Sequence, residues 1–306
     1  MEWHFLLFLV CVGRKEKMKF QDFQCGSCDF SGEIIQRLAG EGEFEFPEVY
    51  RYWKPMVELA LSVKERSGLE VCELPFCHTV EAEAMNGSIS YGDEKIGPRK
   101  KEFVCKKVED ILELPHIDAS KGRIHEVLLA CQELKKRGER VMLQVSGPLT
   151  ILDILIDIKY IFKVMQKEPE LIKKIFDRIS SDLIEWIKEA KNYGVDIISY
   201  ADSIGSMNIL GPKRANWVVE NFTYKFLKEL DLQLDKQMLI LLCPKTTVTL
   251  LEAGRITFEE IELSRCMYYE DVWFDCIGKV RFLGQLCTRN RNYEFKNKKV
   301  KTIKIL

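Results

Sequence analysis

Cysteine, histidine and acidic residues recur where apolar runs stop. The run LEVCELPF is followed at once by Cys77 and His78, with Glu81 and Glu83 a few residues on. DIISYAD closes on Asp202, and Ser203 follows. QMLILLC closes on Cys243, with Lys245 two residues beyond, and Cys287 comes just after KVRFLG. Thiols, an imidazole and carboxylates are the ligand chemistry of zinc. Three protein ligands with a fourth position open are what catalysis by that metal requires. Each residue also has a plainer reading. A strand-end cysteine is often a small packed group, and His78 fits a satisfied, half-buried histidine. Glu81 and Glu83 fit a solvated helix start, and Asp202-Ser203 fits the cap of the next segment. No CxxC pair and no HExxH ties the set together, so the case rests on strand ends meeting in space.

The elements that would bring them together alternate regularly. Apolar spacing of three and four predicts helices over 29–39, 54–66, 122–137, 149–164, 169–192, 212–229, 247–253 and 268–277. Apolar runs bounded by turn residues predict strands over 70–77, 141–147, 196–202, 238–243, 258–263 and 279–284. The tail 292–306 reads as a hairpin. Strand-then-helix order demands a mainly parallel sheet with helical crossovers, and strands apolar on both faces fit its interior. A closed barrel and an open doubly wound sheet both satisfy that order. No GxGxxG follows a strand, which counts against dinucleotide binding. In a parallel barrel all these strand ends share the carboxyl rim, where active sites are built.

Composition narrows the function classes. The formal net charge of −1 gives no electrostatic footing for nucleic acid. Eleven cysteines at irregular spacing in 306 residues do not make a disulfide framework, so a reducing, cytoplasmic setting is expected. Cys25 and Cys28 form a lone CxxC ahead of a helix and read as accidental or weakly structural; His116 and His125 read as structural or exposed. The apolar stretch WHFLLFLVCVG is too short to span a bilayer, and its basic residues follow it rather than precede it. Residues 1–17 are therefore expected to be an extension outside the fold, with 18–306 forming one domain and no association with membrane.

Several segments together carry a family resemblance: KPMVELALSVKE (54–65), LPFCHTVEAEAMNG (74–87), LQVSGPLTILDILI (143–156), the stretch from EPELIKK to YADSIG (168–205), LLCPKTT (241–247) and VRFLGQLC (280–287). The chain resembles the uroporphyrinogen decarboxylase superfamily, and within it the methylcobamide:thiol methyltransferase branch. The resemblance implies a TIM-type (β/α)8-like barrel, here either complete or short of elements at its C-terminal end. It implies methyl transfer between a corrinoid carried by a partner protein and a small-molecule thiol or related acceptor, with zinc activating the thiol. Cys243 matches one cysteine of that branch's zinc site. Leu241 stands where its histidine belongs, and its Gly-Cys-Gly segment has no counterpart here. The metal set would have to be rebuilt from Cys243, Cys287 and His78, or Glu83 in place of the histidine. Asp202 and His78 would then serve catalysis, and Glu81, Glu83, Ser203 and Lys245 would contact substrate. The arginine-rich segment of true decarboxylases is missing near residues 20–60, and only Arg99, Arg289 and Arg291 are placed to hold carboxylates. Decarboxylation of a porphyrinogen is the second reading, and a non-catalytic corrinoid- or tetrapyrrole-binding barrel the third.

Overall fold

The computed structural model describes residues 30–93 and 95–306. The expected extension over 1–17 and the Cys25/Cys28 pair lie outside the described residues. The chain begins with helices α1 (Phe30–Gly40) and α2 (Trp53–Ser67), then strand β1 (Val71–Leu74). A short helix α3 (Val80–Ala84) and a hairpin of β2 (Ser88–Ser90) and β3 (Arg99–Glu102) precede α4 (Gly122–Lys136) and β4 (Arg140–Ser146). Next come α5 (Pro148–Leu155), α6 (Ile158–Lys167), α7 (Pro169–Asn192) and β5 (Ile197–Ala201). Then follow α8 (Met207–Val218), a π-helical turn, α9 (Tyr224–Gln233) and β6 (Leu239–Leu242). The chain closes with α10 (Pro244–Glu252), β7 (Ile256–Glu262), α11 (Tyr269–Cys276), β8 (Phe282–Leu283) and β9 (Lys299–Ile305).

The main sheet runs β1-β4-β5-β6-β8-β9-β7. Its first five strands are parallel, and β9 is antiparallel to both β8 and β7. The parallel strands sit side by side in chain order, with no reversal of direction across the sheet. Crossovers of one hand then place α4, α7 and α9 on the same face, which curls the sheet toward a barrel rather than a doubly wound layer. Register and burial agree. Leu74, Leu143, Ile198, Ile240 and Phe282 are successive partners and pack in one cluster with residues of α2, α4, α7 and α9. Their neighbours along the strands, Met142, Ile197, Leu239, Leu241 and Leu283, belong to a second cluster with Tyr269, Val272 and Trp273 of α11. The fold is therefore of the expected TIM type, with α11 filling the concave side. Among the described residues no ladder joins the edge strands β1 and β7.

One expectation needs correcting. Segment 258–263 is a strand as expected, β7, but the tail is not a self-contained hairpin. Instead β9 pairs with β7 from Ile256↔Ile305 to Glu262↔Lys299. The ion pairs Lys299–Glu260 and Lys304–Glu259 on this ladder are exposed, and such pairs contribute about 0–1 kcal/mol each. Ile256, Val300 and Ile303 are buried, at about 1.5–3 kcal/mol per side chain, so apolar packing holds the ladder.

Local sequence explains most boundaries. Pro169 opens α7 at its first turn, Ile172, Ile175, Phe176, Ile179, Leu183 and Trp186 bury one face, and Gly194 (φ +85°) ends it in the left-handed conformation. The segment expected as one helix over 149–164 breaks at Asp157, whose side chain accepts from the Lys159 amide and caps α6. The helix expected over 212–229 starts at Pro212 as expected, since the left-handed Gly211 (φ +71°) separates it from the first residues of α8, and it runs on through the π-helical turn and α9 to Gln233. No helix of the described residues is long and apolar enough to cross a membrane.

Candidate active site at the carboxyl rim

Strand β1 stops at Leu74 because Pro75 has no amide hydrogen to continue the ladder. Residues 76–79 then run over the carboxyl end of the sheet. Beneath them lies a cavity of about 420 Å³. Glu73 of β1 and Gln144 of β4 form its polar floor, since their register places them on the concave face with Met142 and Ser199. Phe76, Cys77 and His78 make one wall, and Thr288, Arg289 and Arg291 after β8 make another. Helix α1 and residues 95–97 approach from the outside, tied together by the Gln36 side-chain amide donating to the Lys95 carbonyl at 3.0 Å. Tyr50 also lines the space. Burial, with Cys77 and Asp93 nearby, pushes its phenol up to about 12, so it stays a neutral hydrogen-bonding group at pH 7.

Cys77 sits in a fixed polar network. Its sulfur accepts from the Arg123 guanidinium at 3.1 Å and from the Thr79 hydroxyl at 3.3 Å. Arg123, at the start of α4, is only 6% exposed and also donates to Thr79 Oγ1 and pairs with Glu83. The other Glu83 oxygen accepts from the Tyr91 hydroxyl at 2.7 Å. Glu83 is thus a partner of Arg123 and Tyr91, and it does not line the cavity.

Glu81 and Asp202 act as internal ties. Glu81 accepts from the Ser146 amide at 3.0 Å, joining α3 to the end of β4, and burial pushes its carboxyl upward. Asp202 accepts from the Thr150 amide and hydroxyl, both at 2.9 Å, and from the Leu149 amide at 3.4 Å. It therefore caps the helix before it in sequence, α5, rather than the segment after it. Burial raises its carboxyl as well, against these hydrogen bonds. Space for it comes from glycine: a Cβ on Gly147 would lie 2.3 Å from the Asp202 Cβ, and one on Gly205 would lie 2.4 Å from its Oδ2. Ser203 is exposed and donates its amide to Thr150 Oγ1 at 3.1 Å.

The expected metal set is not gathered. Cys243 continues the inward register of Leu239 and Leu241 and begins α10, while Cys287 begins the 3-10 turn over Thr288–Asn290. His78 lines the cavity; Cys243, Cys287, Asp202 and Lys245 do not. Among the described residues no three His, Cys, Asp or Glu side chains stand close enough together to hold a metal ion. Leu241 is 2% exposed and packs in the concave-face cluster, leaving that position apolar. His116, expected to be structural or exposed, is exposed and bonds Asp182 through Nδ1 at 2.7 Å.

The sequence set omitted Glu73, Gln144 and Arg123. The first two carried a signal, a polar residue at an inward position of an otherwise apolar strand. Arg123 carried none, because its partners lie forty or more residues away. Arg289 and Arg291 were named only as carboxylate holders, and both line the cavity; Arg99 lies on β3 away from it.

Comparison with known proteins agrees with this architecture. The methylcobamide:CoM methyltransferase MtaA of Methanosarcina barkeri is 25% identical over 239 residues, 77% of this chain and 69% of its own length. MtaA of the Fusaro strain of that species is 27% identical over 202 residues, covering 65% of this chain and 60% of its own length. A solved structure of a methyltransferase from Methanosarcina mazei superposes with a TM-score of 0.58 at 24% identity, over 72% of this chain and 65% of that one. The chain thus spans roughly two thirds of the length of the proteins it matches. The family model for uroporphyrinogen decarboxylase (URO-D) matches residues 36–286, from within α1 to just past β8 and so across every parallel strand; the chain belongs to that family.

Proposed function

We propose that this chain transfers a methyl group from a corrinoid, carried by a partner protein in the cytoplasm, to a small anionic thiol. The carrying observation is the cavity at the carboxyl rim, whose lining includes the guanidinium groups of Arg289 and Arg291, the imidazole of His78 and the carboxylate of Glu73. The names of its relatives support the reaction class. Thr288, Arg289 and Arg291 are suited to the anionic end of the acceptor, because guanidinium presents paired N–H donors to an oxyanion. The thiol must lose its proton before attack, and His78 and Glu73 are the cavity groups able to take it. The S–CH3 bond then forms as the bond from the methyl group to the corrinoid breaks. Phe76 and Tyr50 keep that side of the cavity poor in water. Asp202, Glu81, Ser203 and Lys245 serve this reading only as supports of the rim.

Zinc assistance does not fit the residues present, so no step is assigned to it. That misfit is the observation favouring the binding-only reading. Porphyrinogen decarboxylation has only Arg289 and Arg291 for a substrate rich in carboxylates. The test mixes the full chain with methylcobalamin and either CoM, named in its relatives, or 3-mercaptopropionate, and follows loss of the methyl–corrinoid absorbance. Turnover is expected. Arg291→Gln should raise KM for the anionic thiol about ten- to a hundredfold, the scale of one lost charge-assisted hydrogen bond of ~1.5–3 kcal/mol, and change little with 2-mercaptoethanol. No transfer above the protein-free rate, with corrinoid still bound, would shift the reading to a binding barrel.

A further inference from the structure

We infer that the carboxyl rim of this chain holds no zinc, and that guanidinium groups supply the positive charge of its site. The second half rests on the methyl-transfer reading; the first rests on geometry alone. A tetrahedral zinc site needs three or four donors that all reach one point, with sulfur at ~2.3 Å and nitrogen at ~2.0 Å. The strand ends do not provide that point. The inward position on β6 below Cys243 is Leu241, paired with Leu283 and buried in the concave-face cluster, so one donor is replaced by a hydrocarbon. Cys243 and Cys287 lie outside the cavity lining, while His78 and Cys77 lie within it. The Cys77 sulfur is already engaged by Arg123 and Thr79, and the nearest carboxylate of that network, Glu83, is held by Arg123 and Tyr91. No three donors are grouped among the described residues.

What remains is a cationic wall made of arginine. Arg291 is 9% exposed and Arg289 is exposed, and both face the space that Glu73 and Gln144 floor. A positive side chain beside a thiol favours the thiolate, as a bound metal does, and needs no ligand set. Such a site depends on no metal supply and is indifferent to chelators.

The experiment is zinc content by mass spectrometry on the full chain purified from zinc-supplemented cells, with competition against a chromophoric zinc chelator. Wild type and the variants Cys243→Ala, Cys287→Ala and His78→Ala are compared. The inference expects well under one zinc per chain, or zinc that all three variants retain and that therefore lies away from the rim. One zinc per chain that any of these variants loses would overturn it. Methyl transfer is assayed on the same preparations with and without 1,10-phenanthroline. Transfer unaffected by the chelator supports the arginine wall, and transfer abolished by it overturns the inference. Absent transfer with absent rim zinc sinks the methyl-transfer reading alone.

Discussion

Arg123 joins Cys77, Thr79 and Glu83 through one buried side chain, so its removal leaves a carboxylate and a hydroxyl without their cation. Breaking such a buried pair from one side costs about 3–5 kcal/mol. Arg123→Ala should therefore lower stability by about 3 kcal/mol in urea denaturation, while Glu83→Gln should cost less because the amide still accepts from Arg123. Glu81 and Asp202 show the opposite economy. Burial raises both carboxyls in the folded state, so their contribution to stability is fullest below the unfolded carboxylate range, about 4, and is lost as pH rises through the folded values. Glu81→Gln keeps an oxygen for the Ser146 amide. Its melting temperature should exceed that of wild type at pH 8, with the gap closing toward pH 4; a constant gap would count against this account. These carboxylates show why residue types at strand ends were only half legible. A strand end in the sequence locates a group on the rim. Whether it faces the cavity or ties two loops depends on neighbours fifty or more residues away, as Thr150 is from Asp202.

At the level of elements, α5 depends on a close approach rather than on its own capping. Gly147 has no side-chain cap to offer, and Asp202, just past the end of β5, supplies the acceptor. A methyl group on Gly147 would meet Asp202 and the buried Tyr200 hydroxyl at under 3 Å. Gly147→Ala should then cost about 1–3 kcal/mol, the range for overpacking, and Asp202→Ala should not restore it in a double-mutant cycle, because alanine keeps the Cβ that lies 2.3 Å away. Sequence predicted the bounds of α7 because a long helix with one buried stripe carries its own period. It gave α3 only as one reading of Glu81 and Glu83, a solvated helix start, and it missed the β2–β3 hairpin; both are too short to establish a period. For the tail, alternation identified a strand, but alternation says nothing about which strand lies beside it. The partner of β9 is β7, some forty residues earlier.

For the molecule as a whole, burial divides the described cysteines. Cys72, Cys105, Cys131 and Cys276 are buried, and burial pushes their thiols up, to about 12 for Cys72 and Cys276 and about 11 for Cys105. Cys77, Cys243, Cys266 and Cys287 are at least partly accessible. Alkylation at pH 8 followed by peptide mapping should modify the second group in minutes and the first only on unfolding. The barrel type was legible from the resemblance; element order alone left an open doubly wound sheet equally in play, and the coincidence of chain order and spatial order through the parallel strands shows only in the fold. The antiparallel insertion was not, since it departs from that order. It also makes β9 a keystone. Strand β9 lies between β8 and β7, so among the described residues β8 has its second neighbour, and β7 any neighbour, only through β9. A substitution that unpairs this one strand, such as Val300→Pro, would bare two edges at once to other chains. Such a variant should precipitate on mild heating rather than merely melt a few degrees earlier, because the exposed strands of two molecules can pair with each other.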